Sequence, residues 1–220
     1  MTSDGSRARD NILARIRARQ GKPAAPAASE REAVASHIGT HLQHARPAFA
    51  WDPVARFKEQ ALRLSSTVED VTMPDGIPAA VARYLRHHGL PLLAVCWPEF
   101  ADLPWRGAGV EVEARAARDT DMIGITGAFC AIAETGTLMT LSGRETPATV
   151  SLLPETHIAI VRASRIVSGM EEAWGLARAE LRRLPRAVNY ISGPSRTADI
   201  EQTVTLGAHG PYRVHIVLTP

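Results

Sequence analysis

The sequence predicts an α/β domain built on a mostly parallel sheet and preceded by a basic helical arm. Three observations carry that reading. Helical periodicity alternates along the chain with short, continuous apolar runs. The twenty-two residues from Met122 to Gly143 hold a single charge, Glu134, and are punctuated by glycine and threonine. The chain has 220 residues and is 45% hydrophobic, enough to bury one full core.

The arm comes first, as residues 1–29, with the domain running from 30 to 220. Ile12, Leu13 and Ile16 share a face, with arginines covering the rest, so residues 6–20 read as a short amphipathic helix. Five arginines against one aspartate between Arg7 and Arg19 account for the net charge of +2, leaving the remainder slightly acidic. A nucleic-acid-binding surface would need a clustered basic face, and the domain has none in its sequence. "GKPAAPAAS", Gly21–Ser29, then reads as a semi-extended linker. The arm is expected to dock on its own domain or on a twin subunit, giving a homodimer.

Residues 53–64 and 78–88 have helical periodicity, and "LLAVC", Leu92–Cys96, is a run of the buried-strand kind. The stretch Met122–Gly143 is too broken by Gly124, Gly127 and Gly136 to cross a bilayer. Its apolar pieces read as strands of the parallel sheet, buried on both faces, with "ETGT" at a bend. "MEEAWGLARAELRRL", Met170–Leu184, reads as a helix with acidic residues first and arginines last, matching the helix dipole. Ala187–Ser192 and Arg213–Leu218 read as strands. With no signal-peptide-like segment at its start, the chain is expected in the cytoplasm.

Chemistry concentrates in two loops. "ISGPSRTADIEQT", Ile191–Thr203, follows a strand and reads as opening a helix. Ser192, Gly193, Ser195, Arg196, Thr197 and Asp199 supply turn geometry, caps and a cation for an anion site. An ordinary capped helix after a turn has the same pattern. "AETGT" offers Glu134, Thr135, Gly136 and Thr137 at a strand bend, and equally fits a plain tight turn. Loops after parallel strands converge at the carboxyl edge of the sheet, so the two are expected to line one pocket for a small carboxylate or phosphate.

His157, in "SLLPETHIAIV", is either a general acid or base or a structural hydrogen-bonding residue. His37, His41 and His44 share a helical face, but with no carboxylate or cysteine beside them no metal site is expected. Neither loop carries a phosphate-loop or dinucleotide fingerprint. Cys96 and Cys130 form no CxxC, and two thiolates fall short of the roughly four an iron–sulfur cluster needs. No cofactor is expected on this chain, and any redox centre must come from a partner.

"AIAETGTLMTLSG", "SLLPETHIAIV" and "SGPSRTADIEQTVTLGAHGP", in that order, resemble the lactate utilization protein C family of LUD domain proteins over roughly Gly124 to the C-terminus. The resemblance implies a Rossmann-like three-layer α/β sandwich of the NagB/RpiA/CoA-transferase kind. It also implies a non-redox part in oxidising L-lactate to pyruvate, beside cysteine-rich and iron–sulfur partner proteins. It carries over no assigned catalytic residue. "ETG" is also similar to the glutamate of CoA-transferases that is followed two residues later by glycine. That similarity leaves open a free-standing sugar-phosphate isomerase-like or acyl/CoA-transfer enzyme using Glu134.

Overall fold

A computed structural model describes residues 3–23, 25–40, 50–197 and 205–220. The chain forms two compact units, Met1–Pro47 and Ala48–Pro220. The first holds α1 (Ser3–Arg19) and α2 (Ala28–Thr40), so a helix crosses the point where the arm was expected to end. Among the described residues no helix is long and apolar enough to cross a membrane.

The second unit opens with α3 (Pro53–Arg63). Asp52 caps it, its carboxylate accepting from the Ala55 N–H at 2.8 Å, and Pro53 fits the first turn. Phe57 and Ala61, four residues apart, are its buried stripe. β1 (Thr67–Asp70), α4 (Ile77–His87), β2 (Leu93–Cys96), α5 (Trp105–Ala108), β3 (Glu111–Ala114) and β4 (Ile123–Gly127) follow in the expected alternation. Then come β5 (Cys130–Ile132), β6 (Thr137–Leu141), α6 (Thr149–Leu152), β7 (Thr156–Arg162), β8 (Ile166–Val167), α7 (Met170–Glu180), β9 (Val188–Ile191), β10 (Arg196–Thr197), β11 (Thr205–Leu206) and β12 (Arg213–Thr219).

Six of these strands form a parallel sheet in the order β1-β12-β7-β4-β2-β3. Side chains alternate across it as strand geometry requires. Ile158, Ile160 and Val217 join the α4 core on one face, while Ala159, Val161, Val214, Ile216 and Leu218 pack with α3 on the other. The α/β expectation, a mostly parallel central sheet with helices on both sides, is the fold of the chain.

Three expectations are corrected. The apolar pieces after β4 leave the parallel sheet: β5 and β6 form an antiparallel hairpin in a second sheet, ordered β8-β5-β6-β9. Burial on both faces was the right reading, for a different reason. Ala131, Ala133 and Leu138 pack with α3, and Cys130, Ile132 and Met139 pack with α7, so a hairpin between two layers imitates a central parallel strand. Second, α7 ends at Glu180 rather than Leu184, because Leu181 turns to extended backbone (φ −99°, ψ 125°) and Pro185 disfavours helix just before it. Third, Ser195 does not open a helix: Arg196 and Thr197 form β10, which pairs antiparallel with β11, and the rest of the expected helix, residues 198–204, lies outside the described residues.

Candidate functional site

The two expected loops do meet, at one end of the second sheet. Leu138 is in register with Ile191, which places the start of β6 beside the end of β9. Thr135 Oγ1 donates to Thr137 Oγ1 at 2.8 Å, and Thr137 Oγ1 lies 2.7 Å from Ser192 Oγ, forming a chain of three hydroxyls. Both loops close against the end of α3. Gly136 (φ 67°) and Gly193 (φ 78°) take the left-handed conformation glycine allows. A methyl group on Gly136 would lie 2.6 Å from the Ala61 nitrogen, and one on Gly193 would lie 2.3 Å from the Leu64 carbonyl oxygen.

The charged side chains of these loops face different neighbours. Arg196 donates to Leu64 O at 3.1 Å and to Ser65 Oγ at 2.6 Å, so it caps the end of α3, where unpaired carbonyls favour a cation. Arg196→Ala is therefore expected to lower stability by ~0.5–1.5 kcal/mol, the net worth of such hydrogen bonds, measured as a shift in the urea midpoint. An unchanged midpoint would show that the cap contributes nothing.

Glu134 sits half-buried in the hairpin turn, its N–H donating to Ser168 O at 2.9 Å. A methyl group placed on Gly169 would lie 3.0 Å from Glu172 Oε2, 3.3 Å from Glu134 Oε2 and 3.6 Å from Glu171 Oε2. Glu134 thus joins the carboxylates at the start of α7, where the helix dipole favours them. Ser195 is occupied in the turn, its N–H bonding Pro211 O and its carbonyl accepting from Gly207. Thr197 follows Arg196 in β10, in register with Thr205 of β11. Asp199, His41 and His44 lie outside the described residues. Among those described, no group of three or more His, Cys, Asp or Glu is placed to hold a metal.

Of the two readings of His157, its burial and hydrogen bonding support the structural one. It is wholly buried in β7, with Nε2 2.7 Å from Thr126 Oγ1. Thr126 donates its own proton to Gly127 O, so His157 donates through Nε2–H. Its Nδ1 is left as a buried acceptor with no partner among the described residues. Burial lowers its pKa to about 4, keeping the ring neutral and away from any substrate.

A different site lies at the carboxyl edge of the parallel sheet. From β2 the chain moves outward to β3, then returns to β4 on the other side of β2, which makes the gap beyond β2 and β4 a topological switch point. A 430 Å³ cleft opens there, lined by Glu99 after β2, Gly127 at the end of β4, Phe129 after it, Arg162 at the end of β7, and Arg165 and Glu180. Arg165 forms a paired fork with Glu180 (2.7 and 3.0 Å), donates to Phe129 O at 2.8 Å and lies over the Phe129 ring at 4.8 Å. A larger depression of 780 Å³ runs along the edge strand β3, lined by Leu93, Glu111, Val112 and Glu113 and by residues 103–106.

A family profile described as the LUD domain matches residues 99–219. The chain belongs to the LUD domain family. It is 34% identical over 157 residues to Lactate utilization protein C of Bacillus subtilis, covering 68% of this chain and 65% of that one. It is 46% identical over 94 residues to Lactate utilization protein C of Halalkalibacterium halodurans, covering 41% of each. The match therefore spans less than two thirds of the length of either relative. A crystal structure of a DUF162 family protein from Deinococcus radiodurans superposes with a TM-score of 0.61 at 24% identity, over 79% of this chain and 100% of that one, and so supports the fold. The LUD match begins at Glu99 and ends at Thr219, and both residues line the cleft.

Sequence reading missed Glu99 and Arg162 because it sought glycine-rich loops. The available signal was position. Each is a charged residue at or just beyond the carboxyl end of an apolar run, "LLAVCWPE" and "HIAIVR". In a parallel sheet that end is where ligands bind.

Proposed function

We propose that this LUD domain chain is a non-redox component of a cytoplasmic system that oxidises L-lactate to pyruvate. In this reading it works beside iron–sulfur and cysteine-rich partner subunits and holds a small anionic ligand. The observation that carries it is the similarity to proteins named Lactate utilization protein C, at 34% and 46% identity. The cysteine chemistry supports the division of labour. Cys96 and Cys130 are buried, and burial pushes both thiols up to about 11, well away from the thiolate state a cluster ligand needs.

The test is to purify the tagged full-length chain from cells growing on L-lactate and to delete its gene in parallel. Co-purification of cysteine-rich, iron–sulfur proteins and loss of growth on L-lactate are the expected results. A chain recovered alone, from cells whose growth on L-lactate survives the deletion, would defeat the reading.

A further inference from the structure

We propose that the cleft at the switch point binds a small monocarboxylate with an apolar body, Arg162 taking the carboxylate. The assignment rests on the small-ligand part of the function proposed above and adds its place and chemical class.

Four charged side chains line the cleft, and they differ in how they are engaged. Arg165 and Glu180 satisfy each other through their paired fork. Arg162 is exposed and makes no hydrogen bond or ion pair with any described residue; the charge it acts on is Glu99. A guanidinium at the mouth of a cleft presents a planar fork that matches a carboxylate with two parallel N–H donors.

Glu99 sets the charge the ligand carries. Its carboxyl stands against the bare backbone of Gly127, where a methyl group would lie 2.8 Å from Glu99 Oε1 and 3.3 Å from the Phe100 ring. With Arg165 and Glu180 cancelling, Arg162 and Glu99 are left, among the described residues, as the cation and the carboxyl of the cleft that can face a ligand. A single negative charge pairs with Arg162, whereas a second, as on a phosphate, would be left facing Glu99. Glu99 is exposed, yet desolvation by its neighbours raises its carboxyl above the usual range, with Arg162 pulling the other way. This agrees with a group standing in the cleft rather than in bulk water.

Apart from Thr219, the rest of the lining is apolar. Ile77, Phe100, Leu103, Phe129 and Ile160 offer surface to a hydrocarbon or aromatic body. At 430 Å³ the cleft falls within the ~300–1,000 Å³ range of pockets for drug-sized ligands, so a three-carbon acid alone would leave most of it empty.

The experiment is calorimetric titration of the purified full-length chain with 3-phenyllactate, L-lactate and inorganic phosphate. 3-Phenyllactate is expected to bind saturably and more tightly than L-lactate, and phosphate not to bind. Arg162→Gln is expected to weaken 3-phenyllactate about tenfold or more with an unchanged thermal midpoint, since its side chain is exposed. Glu99→Gln is expected to tighten carboxylate binding and admit phosphate, a gain that structural damage does not produce. No saturable carboxylate binding, binding indifferent to Arg162→Gln, or phosphate binding as tight as 3-phenyllactate in the unaltered chain would each overturn the assignment. Because the titration uses no partner protein, its failure is separate from failure of the lactate-system reading, which growth and co-purification report.

Discussion

Gly124→Ala is expected to destabilise the domain by ~3 kcal/mol or more, at or beyond the usual upper range for overpacking a core by small additions. Gly124 lies within β4, in register with His157 of β7 and Val95 of β2. A methyl group there would fall 1.8 Å from the Val150 carbonyl oxygen, with Pro154 Cγ at 3.0 Å. The obstructing atom is backbone, so no rotamer change relieves it. The short helix α6 must lift from the sheet, or β4 must bend away from both neighbours. Gly175, inside α7 with nothing within 4 Å of the same methyl, is the control. Gly175→Ala is expected to stabilise by ~0.5–1 kcal/mol through helix propensity and a less flexible unfolded chain. Urea midpoints of the two variants decide the matter. A Gly124→Ala protein as stable as the parent would show that α6 does not rest on the sheet at this point.

Gly124 also shows what the sequence can and cannot tell. Read along the chain, it interrupts an apolar run, and the natural inference is a turn. In the fold it is buried within a strand, and the interruption makes room for another element to approach. Gly136 and Gly193 were read correctly as turns, yet nothing local shows that both turns close on the end of α3, more than seventy residues earlier than Gly136 and over a hundred before Gly193. The alternation of helix and apolar run was enough for the α/β class, because each run had to be buried on both faces. It could not separate β4, inside the parallel sheet, from β5 and β6, held between α3 and α7. Both environments present the same apolar string, and only the partner strand distinguishes them.

The site follows the same logic. Arg196 was a reasonable candidate as a lone cation in a glycine-containing loop, and its use as a helix cap depends on Leu64 and Ser65, which no local pattern connects to it. Arg162 looked like no more than the polar end of a strand. It becomes a candidate ligand group once β7 is known to lie beside β4, whose carboxyl end borders the switch point. Residue type suggested chemistry in the sequence, and strand order decided which residues share a cleft.

Between pH 6.5 and about 4 the domain is expected to lose stability, through two histidines that fold neutral. His157 is wholly buried, and His215 is 3% exposed. Burial lowers each to about 4, with His88 adding a further push on His215. The sign follows from proton counting. Below pH 6.5 the unfolded chain takes up a proton on each ring that the folded chain does not, so stability falls with pH until the folded rings protonate near 4. It is fully present above pH 6.5. Across that interval each ring removes on the order of a few kcal/mol, a sizeable share of the ~5–15 kcal/mol total stability of an ordinary domain. His215 is not simply stranded: Nδ1 meets Thr67 Oγ1 at 2.8 Å, the ring stacks on Tyr84 at 4.0 Å, and Glu69 Oε2 lies 4.0 Å from Nε2. Glu69 favours the charged ring but does not overcome its burial. Asp121 and Glu180, held below the usual carboxylate range by hydrogen bonds from Arg115 and Arg165, add their losses toward the acid end of the window, and Glu99, whose carboxyl desolvation raises, works in the opposite sense. Unfolding free energies from urea titrations between pH 8 and 4.5 are expected to fall by roughly 1 kcal/mol per pH unit per histidine near pH 5. His157→Gln, which keeps a donor toward Thr126 but cannot titrate, is expected to cut that slope by about half. A stability profile that stays flat from pH 6.5 to 4.5, or a slope untouched by His157→Gln, would show that these rings are not held neutral by burial.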